Sequence, residues 1–159
     1  MQDVGRTDFK VTMKFGDQAL DIYVTKRPFL DEFLETMADK FEIGIFTASL
    51  REYAEKVIEQ IDPKNHIKWS IYRDSCTLYK GYTVKNLEAI PRRLDRIILV
   101  DDRSTSFMLQ RSNGVQCSPF EGAPEDTELK RLEHFLCDLS QVEGDLREFN
   151  NITDKSGDS

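Results

Sequence analysis

The chain has 159 residues, of which 39% are hydrophobic and 10% aromatic, a length and composition typical of one globular domain with a real core. Its net charge of −7 argues against a broad nucleic-acid-binding face, which needs a basic surface. We therefore expect no direct nucleic-acid partner.

The first elements along the chain are a predicted β-hairpin and a helix. "DFKVTMKF" and "QALDIYVTKRP" flank Gly16-Asp17, and the alternation of Val11, Met13 and Phe15 gives the first strand one apolar face. Pro28 then opens a helix whose apolar residues recur at helical spacing from Phe29 to Met37.

Strands and helices alternate through the rest of the chain. "FEIGIFTAS" is a predicted buried strand, and "LREYAEKVIEQI" is a strongly amphipathic helix. "HIKWSIYR" and "CTLY" indicate short strands around a turn, "TVKNLEAI" a short helix, and "RIILVDD" a second buried strand. "APEDTELKRLEHFLCDLSQV" predicts a helix with an acidic first turn, and residues 148–159 predict a flexible tail.

This alternation predicts an α/β domain with a mostly parallel sheet. Ligands of such sheets bind at the carboxyl ends of the strands. Both clear strands end there in polar side chains, Thr47 and Ser49 on one and Asp101 and Asp102 on the other. Adjacent carboxylates repel each other, and Mg²⁺ is bound by carboxylate oxygens. The sequence thus predicts a site for a metal-bound phosphate, with Asp102 and Asp101 as metal ligands.

The cysteines and the N-terminus bear on the compartment. Cys76, Cys117 and Cys137 are odd in number and form no C-x-x-C pair, which favours a reducing environment over a disulfide framework. "MQDVGRTDFK" has no apolar core of a signal peptide, and no apolar run reaches the ~18 residues of a membrane span. We expect an intracellular protein, nuclear or cytoplasmic, with no membrane segment.

Five collinear motifs resemble those of the small C-terminal-domain phosphatases of the haloacid dehalogenase superfamily. They are "KRPFLDEFLETM", "FEIGIFTASLREYAEKV", "RDSCTLYKGYTVKNL", "ILVDDRSTSF" and "DTELKRLEHFLCDLSQV". The resemblance implies a phosphatase-like domain over residues 1–147, with a Rossmann-like parallel sheet, helices on both faces and a small β-hairpin insert. It also implies an Mg²⁺-dependent protein serine/threonine phosphatase acting on phosphopeptides such as the RNA polymerase II tail.

The resemblance also implies roles for individual residues. Thr47, Lys85 and Asp101 would be catalytic, and Thr47, Lys85 and Arg73 would bind phosphate. Asp102 would ligate Mg²⁺ with support from Asp101. A groove for a proline-containing peptide would be lined by residues of the hairpin and of the segment "LREYAEKVIEQI": Met13, Phe15, Ile22, Leu50 and Tyr53.

The family's nucleophile, an aspartate in a D-x-D-x-(T/V) motif on the central first strand, has no match here. No two aspartates of the chain are spaced two residues apart. By resemblance, the central strand between those ending at Thr47 and Asp101 is missing, and the chain as given lacks the acceptor for a covalent aspartyl-phosphate. We expect a truncated form of a longer enzyme rather than an evolved pseudophosphatase.

Other interpretations stay open. The chain fits a non-catalytic binding module, as in a mitochondrial import receptor subunit of this fold, or a small-molecule phosphatase or mutase of the superfamily. Asp101 and Asp102 also fit a solvated strand end, and Thr47 a helix N-cap. Lys85 and Arg73 also fit ordinary surface charges, and the apolar hairpin face fits core.

Overall fold

The computed structural model describes residues 6–154. It is an α/β arrangement, as predicted, with four helices and eight strands in that range. The strands are β1 (Phe9–Phe15), β2 (Gln18–Val24), β3 (Ile43–Phe46), β4 (Ile67–Ile71), β5 (Thr77–Tyr79), β6 (Tyr82–Val84), β7 (Leu99–Asp101) and β8 (Gly114–Gln116). The helices are α1 (Leu30–Lys40), α2 (Arg51–Ile61), α3 (Glu128–Ser140) and α4 (Leu146–Asp154).

The strands form four two-stranded sheets rather than one continuous sheet. β1 and β2 form the predicted hairpin, and β5 and β6 form a second antiparallel pair. β3 pairs in parallel with β4, and β7 pairs in parallel with β8. Among residues 6–154 no strand joins the two parallel pairs.

Two apolar cores hold these elements together. The larger core contains buried residues of α1, α3 and the start of α4: Met37, Leu129, Leu132, Leu136, Leu139 and Leu146, with Val115 of β8. The smaller core contains Phe46, Leu87 and Ile90. β3 and β7 lie between the two, because Ile43 and Val100 contact the larger core while Phe46 and Leu99 belong to the smaller one.

Two glycines allow close packing of aromatic rings on the parallel pairs. A Cβ on Gly44 would lie 2.2 Å from the Trp69 ring of the neighbouring strand. A Cβ on Gly114 would lie 2.1 Å from the Phe107 ring. Both distances are far below contact, so only glycine leaves room for these rings.

Several local predictions were wrong where tertiary contacts override local pattern. The predicted helix in "TVKNLEAI" is instead strand β6 followed by a 3-10 turn at Leu87–Ala89. The Asn86 side chain accepts the Glu88 N–H at 3.0 Å, and Gln110 bonds both Asn86 and the Leu87 N–H. These bonds stabilise a turn rather than a helix.

Other differences concern pairing and helix ends. β4 and β5 were predicted as neighbours around a turn, but β4 pairs with β3 and β5 with β6. The first helix begins at Leu30 rather than Pro28, and the helix predicted from Ala123 begins at Glu128. The predicted tail is helical up to Asp154, because apolar residues of α4 such as Leu146 and Phe149 pack on the larger core. The remaining tail positions, 155–159, lie outside the described residues.

A carboxylate at the first turn of α3 binds the loop before it. Glu128 accepts hydrogen bonds from Arg131 and from the backbone N–H of Ser118. The Arg131 hydrogen bond, with the Ser118 N–H, lowers the Glu128 pKa to about 2. The side chain is only 11% exposed, so this contact tethers the loop to the helix.

The lowered Glu128 pKa predicts a pH-dependent contribution to stability. Because the folded-state pKa lies below the ordinary glutamate value of 4.5, the contribution is complete above that pH and is lost as the pH falls toward 2. We expect Glu128→Gln to lower the free energy of unfolding by about 1–2 kcal/mol at pH 7. Urea unfolding from pH 7 to 2 should show this difference shrinking. The exposed Glu125→Gln serves as control, and a difference for Glu128→Gln that stays constant with pH contradicts the prediction.

Within residues 6–154, every helix is too short or too polar to cross a membrane. The three cysteines are free thiols.

Candidate phosphate site at the carboxyl ends of β3 and β7

The ends of β3 and β7 meet around Cys76. Its thiol is 3.8 Å from the Thr47 carbonyl oxygen and 3.9 Å from that of Tyr72. Burial raises the pKa of the Cys76 thiol, while the positive charges of Lys85 and Arg73 partly oppose the rise. Cys76 also packs against the smaller core together with Phe46 of β3 and Leu99 of β7. Thr47, Arg73, Lys85 and Asp101 therefore share one edge of the molecule.

A buried ion pair lies at the centre of this edge. The Lys85 ammonium contacts Oδ2 of Asp101, and their side chains are only 15% and 6% exposed. The other carboxylate oxygen accepts the Arg103 N–H at 2.9 Å. The Lys85 backbone N–H donates to the Ser106 carbonyl at 2.8 Å, so the chain after β7 also fixes the segment that carries Lys85.

The Lys85–Asp101 pair differs from the arrangement predicted from the sequence. Lys85 supplies the countercharge for Asp101 that the sequence argument assigned to a metal. Asp102, by contrast, is exposed, and its backbone carbonyl accepts from Gln116 Nε2 at 3.2 Å. The two adjacent carboxylates are thus separated, one facing a lysine and the other water.

Few side chains at this edge are available to bind a cation. In the part of the chain that the structure describes, no group of three or more His, Cys, Asp or Glu side chains is arranged to hold a metal ion. Both Asp101 oxygens already accept hydrogen bonds, from Lys85 and from the Arg103 N–H. Asp102 is therefore the side chain of this edge that best fits a magnesium ion whose other ligands are water and substrate phosphate.

The loop after β3 is held by its own hydroxyl and by an arginine. Thr47 Oγ1 accepts the Ser49 N–H at 3.0 Å. Arg73 Nε donates to the Ala48 carbonyl at 2.7 Å, and the Arg73 N–H donates to the Ser49 carbonyl at 3.1 Å. The N-cap of α2 is Leu50, so Thr47 stabilises this loop rather than capping the helix.

The predicted peptide groove is only partly at the surface. Met13 is 4% exposed because β1 packs against α2, so its predicted place in the groove is wrong. Phe15 and Leu50 are exposed, at 59% and 54%, and Ile22 and Tyr53 are half-buried. The apolar face of the hairpin is therefore core near Met13 and open to solvent near its tip.

Backbone groups that the sequence does not reveal also build this edge. The Arg103 N–H and the Ser106 carbonyl orient Asp101 and Lys85, and main-chain groups leave no mark on residue type. The signal that was present is their position in "DDRSTSF", directly after β7.

A separate surface cavity of about 320 Å³ lies elsewhere, lined by residues that include Lys26, Asp31, Asp62 and His66.

The sequence is similar to a family of phosphatases and to several of its members. A model of the NLI interacting factor-like phosphatase family matches residues 1–147. "CTD small phosphatase-like protein 2" of Dictyostelium discoideum is 39% identical over 129 residues, which cover 81% of this chain and 23% of that protein. Human "Carboxy-terminal domain RNA polymerase II polypeptide A small phosphatase 1" is 34% identical over 140 residues, which cover 88% of this chain and 54% of that protein.

Comparison with solved structures shows the same fold. The fission yeast RNA polymerase II CTD phosphatase Fcp1, in a structure with beryllium fluoride, superposes with a TM-score of 0.74 at 19% identity. The match covers 94% of this chain and 56% of that one, so the chain spans about half or less of the relatives described. Given the family match over residues 1–147 and the shared fold, the chain belongs to the NLI interacting factor-like phosphatase family.

Proposed function

We propose that the chain is a protein serine/threonine phosphatase domain that binds phosphoserine or phosphothreonine peptides at the carboxyl ends of β3 and β7. The RNA polymerase II C-terminal tail is one substrate of this type. The observation that carries the proposal is the placement of Thr47, Arg73, Lys85 and Asp101 at one edge in a member of a phosphatase family. A nuclear or cytoplasmic location is part of this proposal.

Each phosphate-binding residue has a group to offer. Thr47 Oγ1 accepts the Ser49 N–H, and this leaves its own hydroxyl hydrogen to donate to a phosphoryl oxygen. Arg73 uses Nε to hold the loop, and its two terminal nitrogens are then available for phosphate. The Lys85 ammonium has three hydrogens, so it can donate to phosphate while it neutralises Asp101.

Mg²⁺ is the proposed cofactor. Asp102 would bind it, with the phosphate oxygens of the substrate as further ligands and Asp101 alongside. Bound there, the ion would neutralise phosphate charge and polarise the phosphoryl group. The exposed Asp102 carboxylate favours this assignment, because Mg²⁺ commonly combines one or two carboxylates with substrate phosphate and water.

Catalytic turnover by the chain as given is not part of the proposal. No two of its aspartates are spaced two residues apart, so its own residues do not supply the family's nucleophile and general acid. Without a covalent acceptor, Thr47, Lys85 and Asp101 bind and neutralise phosphate but do not cleave it. The same observation favours a second candidate, a non-catalytic peptide-binding module.

The exposed tip of the hairpin is the proposed contact for the rest of the peptide. Phe15 and Leu50 are each more than half exposed. Ile22 lies on β2 opposite Val11, and Tyr53 follows Leu50 on α2. Apolar side chains of this kind would contact a proline-containing segment next to the phosphorylated residue.

The test is binding of a fluorescent phosphoserine peptide and its unphosphorylated form to the full chain, with and without Mg²⁺. We expect the phosphorylated form to bind at least about tenfold more tightly, Asp102→Asn to remove the Mg²⁺ effect, and no release of inorganic phosphate. Arg73→Ala should weaken binding, whereas Arg111→Ala, an exposed control, should not. Equal binding of both peptides without an Mg²⁺ effect supports the binding module instead. Binding of neither peptide contradicts both proposals.

A further inference from the structure

The antiparallel pair β5–β6 is a short hairpin with a well-defined turn. Tyr79 pairs with Tyr82, so the turn consists of Lys80 and Gly81 alone. Both turn residues have positive φ angles, 50° and 81°, which is the pattern of a two-residue turn that matches the right-handed twist of its strands. The hairpin therefore presents its tip residues from an ordered turn.

The side chains at this tip are apolar and open to solvent. Leu78 is 78% exposed, the highest value for a large hydrophobic side chain in the described residues, and Tyr79 and Tyr82 are 37% and 50% exposed. Val84, at the base of the hairpin, is completely buried. The base thus anchors the hairpin, while the tip side chains bury little surface in the fold. Large apolar and aromatic side chains exposed together are typical of contact surfaces.

The hairpin carries one charge, and it is positive. Lys80 is the single charged residue of "CTLYKGYTV", residues 76–84. Its ammonium lies 5.3 Å from the centre of the Tyr79 ring, and within residues 6–154 no carboxylate pairs with it. An apolar surface beside an unpaired ammonium favours a partner segment in which an apolar side chain lies next to an acidic one.

The base of the hairpin lies at the candidate phosphate site. β5 directly follows Cys76, whose thiol is 3.8 Å from the Thr47 carbonyl oxygen. β6 directly precedes Lys85, which pairs with Asp101. Each strand has three residues, so at about 3.3 Å per residue the tip lies about 10 Å from this base. An extended peptide covers that distance with about three or four residues.

We propose that the tip of the β5–β6 hairpin is a specificity-determining surface for the phosphopeptide. It binds the substrate about three or four residues from the phosphorylated residue and selects an apolar side chain with an acidic neighbour. Leu78, Tyr79 and Tyr82 contact the apolar side chain, and Lys80 attracts the acidic one. This inference rests on the proposed function, because it needs the phosphorylated residue at the carboxyl ends of β3 and β7. The contact is on a different hairpin from the one proposed for the proline-containing segment.

The test measures binding of dye-labelled phosphoserine peptides to the full chain by fluorescence anisotropy. One peptide, acetyl-Ala-Ala-phosphoserine-Ala-Ala-Leu-Glu-Ala-amide, has the selected pair on the carboxyl side of the phosphoserine. Another, acetyl-Ala-Glu-Leu-Ala-Ala-phosphoserine-Ala-Ala-amide, has it on the amino side. Each has a control peptide in which Leu is replaced by Ala and Glu by Gln. We expect one of the two peptides to bind at least about fivefold more tightly than its control.

Variants of the chain test whether this preference comes from the hairpin. Leu78→Ser and Tyr82→Ser should each reduce it to less than about twofold, and Lys80→Gln should remove the part that depends on the glutamate. Tyr23→Ser changes a tyrosine of the other hairpin that is 66% exposed, and it should leave the preference unchanged. The control peptides should bind equally well to all four variants, because none of these residues belongs to the phosphate site.

Four outcomes would overturn the inference. The first is equal binding within both peptide pairs, and the second is a preference that persists in Leu78→Ser and Tyr82→Ser. If the control peptides bind better than their unphosphorylated forms but no preference appears, this inference alone fails and the proposed function stands. If no peptide binds in a phosphate-dependent way, both fail. A concentration-dependent dimer in sedimentation that Leu78→Ser abolishes would assign the tip to a second copy of the chain.

Discussion

Lys85→Met is expected to lower the free energy of unfolding by about 3–5 kcal/mol. The substitution leaves the Asp101 carboxylate, only 6% exposed, without the ammonium that neutralises it. The remaining hydrogen bond from the Arg103 N–H does not replace a full charge. Urea unfolding at pH 7 measures the change.

A double-mutant cycle separates this pair from general loss of packing. Asp101→Asn keeps an oxygen that can accept the Arg103 N–H while it removes the negative charge. We expect the combined variant to lose clearly less stability than the sum of the two single changes, with a coupling of about 2–3 kcal/mol. Additive losses would mean that Lys85 acts through its methylene packing and that the ion pair is unimportant.

Arg27→Met is expected to cost about 2–4 kcal/mol, because Arg27 joins the start of α1 to the loop before α3. Its guanidinium donates two hydrogen bonds to the Asp126 carboxylate, from Nε and from Nη2, each at 2.9 Å. A third, from Nη1, goes to the Ser118 carbonyl at 2.6 Å. The Arg27 and Asp126 side chains are 13% and 14% exposed. Arg27 also lies over the Phe120 ring.

Two further measurements test whether the Arg27–Asp126 ion pair causes this loss of stability. One is the pH dependence of the loss, and the other is the matched variant Arg147→Met. The hydrogen bond from Arg27 lowers the Asp126 pKa below the ordinary aspartate value of 3.8. The pair's contribution is therefore complete above that pH and is lost at lower pH, so the deficit of Arg27→Met should shrink in acid. Arg147→Met breaks a similar but more exposed pair with Asp145 and should cost clearly less stability than Arg27→Met. Equal losses for the two variants would contradict the role given to Arg27.

The sequence predicted those parts of the fold in which a strong local pattern runs over many residues. The apolar stripe of α2 meets both conditions, whereas β7, with three residues, is marked by the four consecutive apolar residues Ile97–Val100; both elements are present. β8 has only three residues, "GVQ", which is too short to show a period. The local pattern around β6 predicts a helix. It does not reveal the strand, because the pairing with β5 and the Gln110 contact to the next turn involve other segments of the chain.

The location of the candidate site was predictable from the sequence, but the contacts within it were not. Polar residues after two buried strands indicated where Thr47 and Asp101 would meet. The pairing of Lys85 with Asp101 was not predictable by spacing, because the two residues lie 16 positions apart on different elements. The prediction that Met13 lines the peptide groove was wrong for a different reason. An alternating apolar face does not reveal which of its residues a helix will cover.

The central claim is that the carboxyl ends of β3 and β7 form one phosphate-binding site. Its most direct test is an NMR titration of the isotope-labelled chain with a phosphoserine peptide, with the unphosphorylated peptide as control. We expect phosphate-dependent shifts of the amides of Thr47–Ser49, the ammonium of Lys85 and the amides of residues 101–103. Shifts confined to other surfaces, such as the cavity around Lys26 and His66, or identical shifts with both peptides, would contradict the claim.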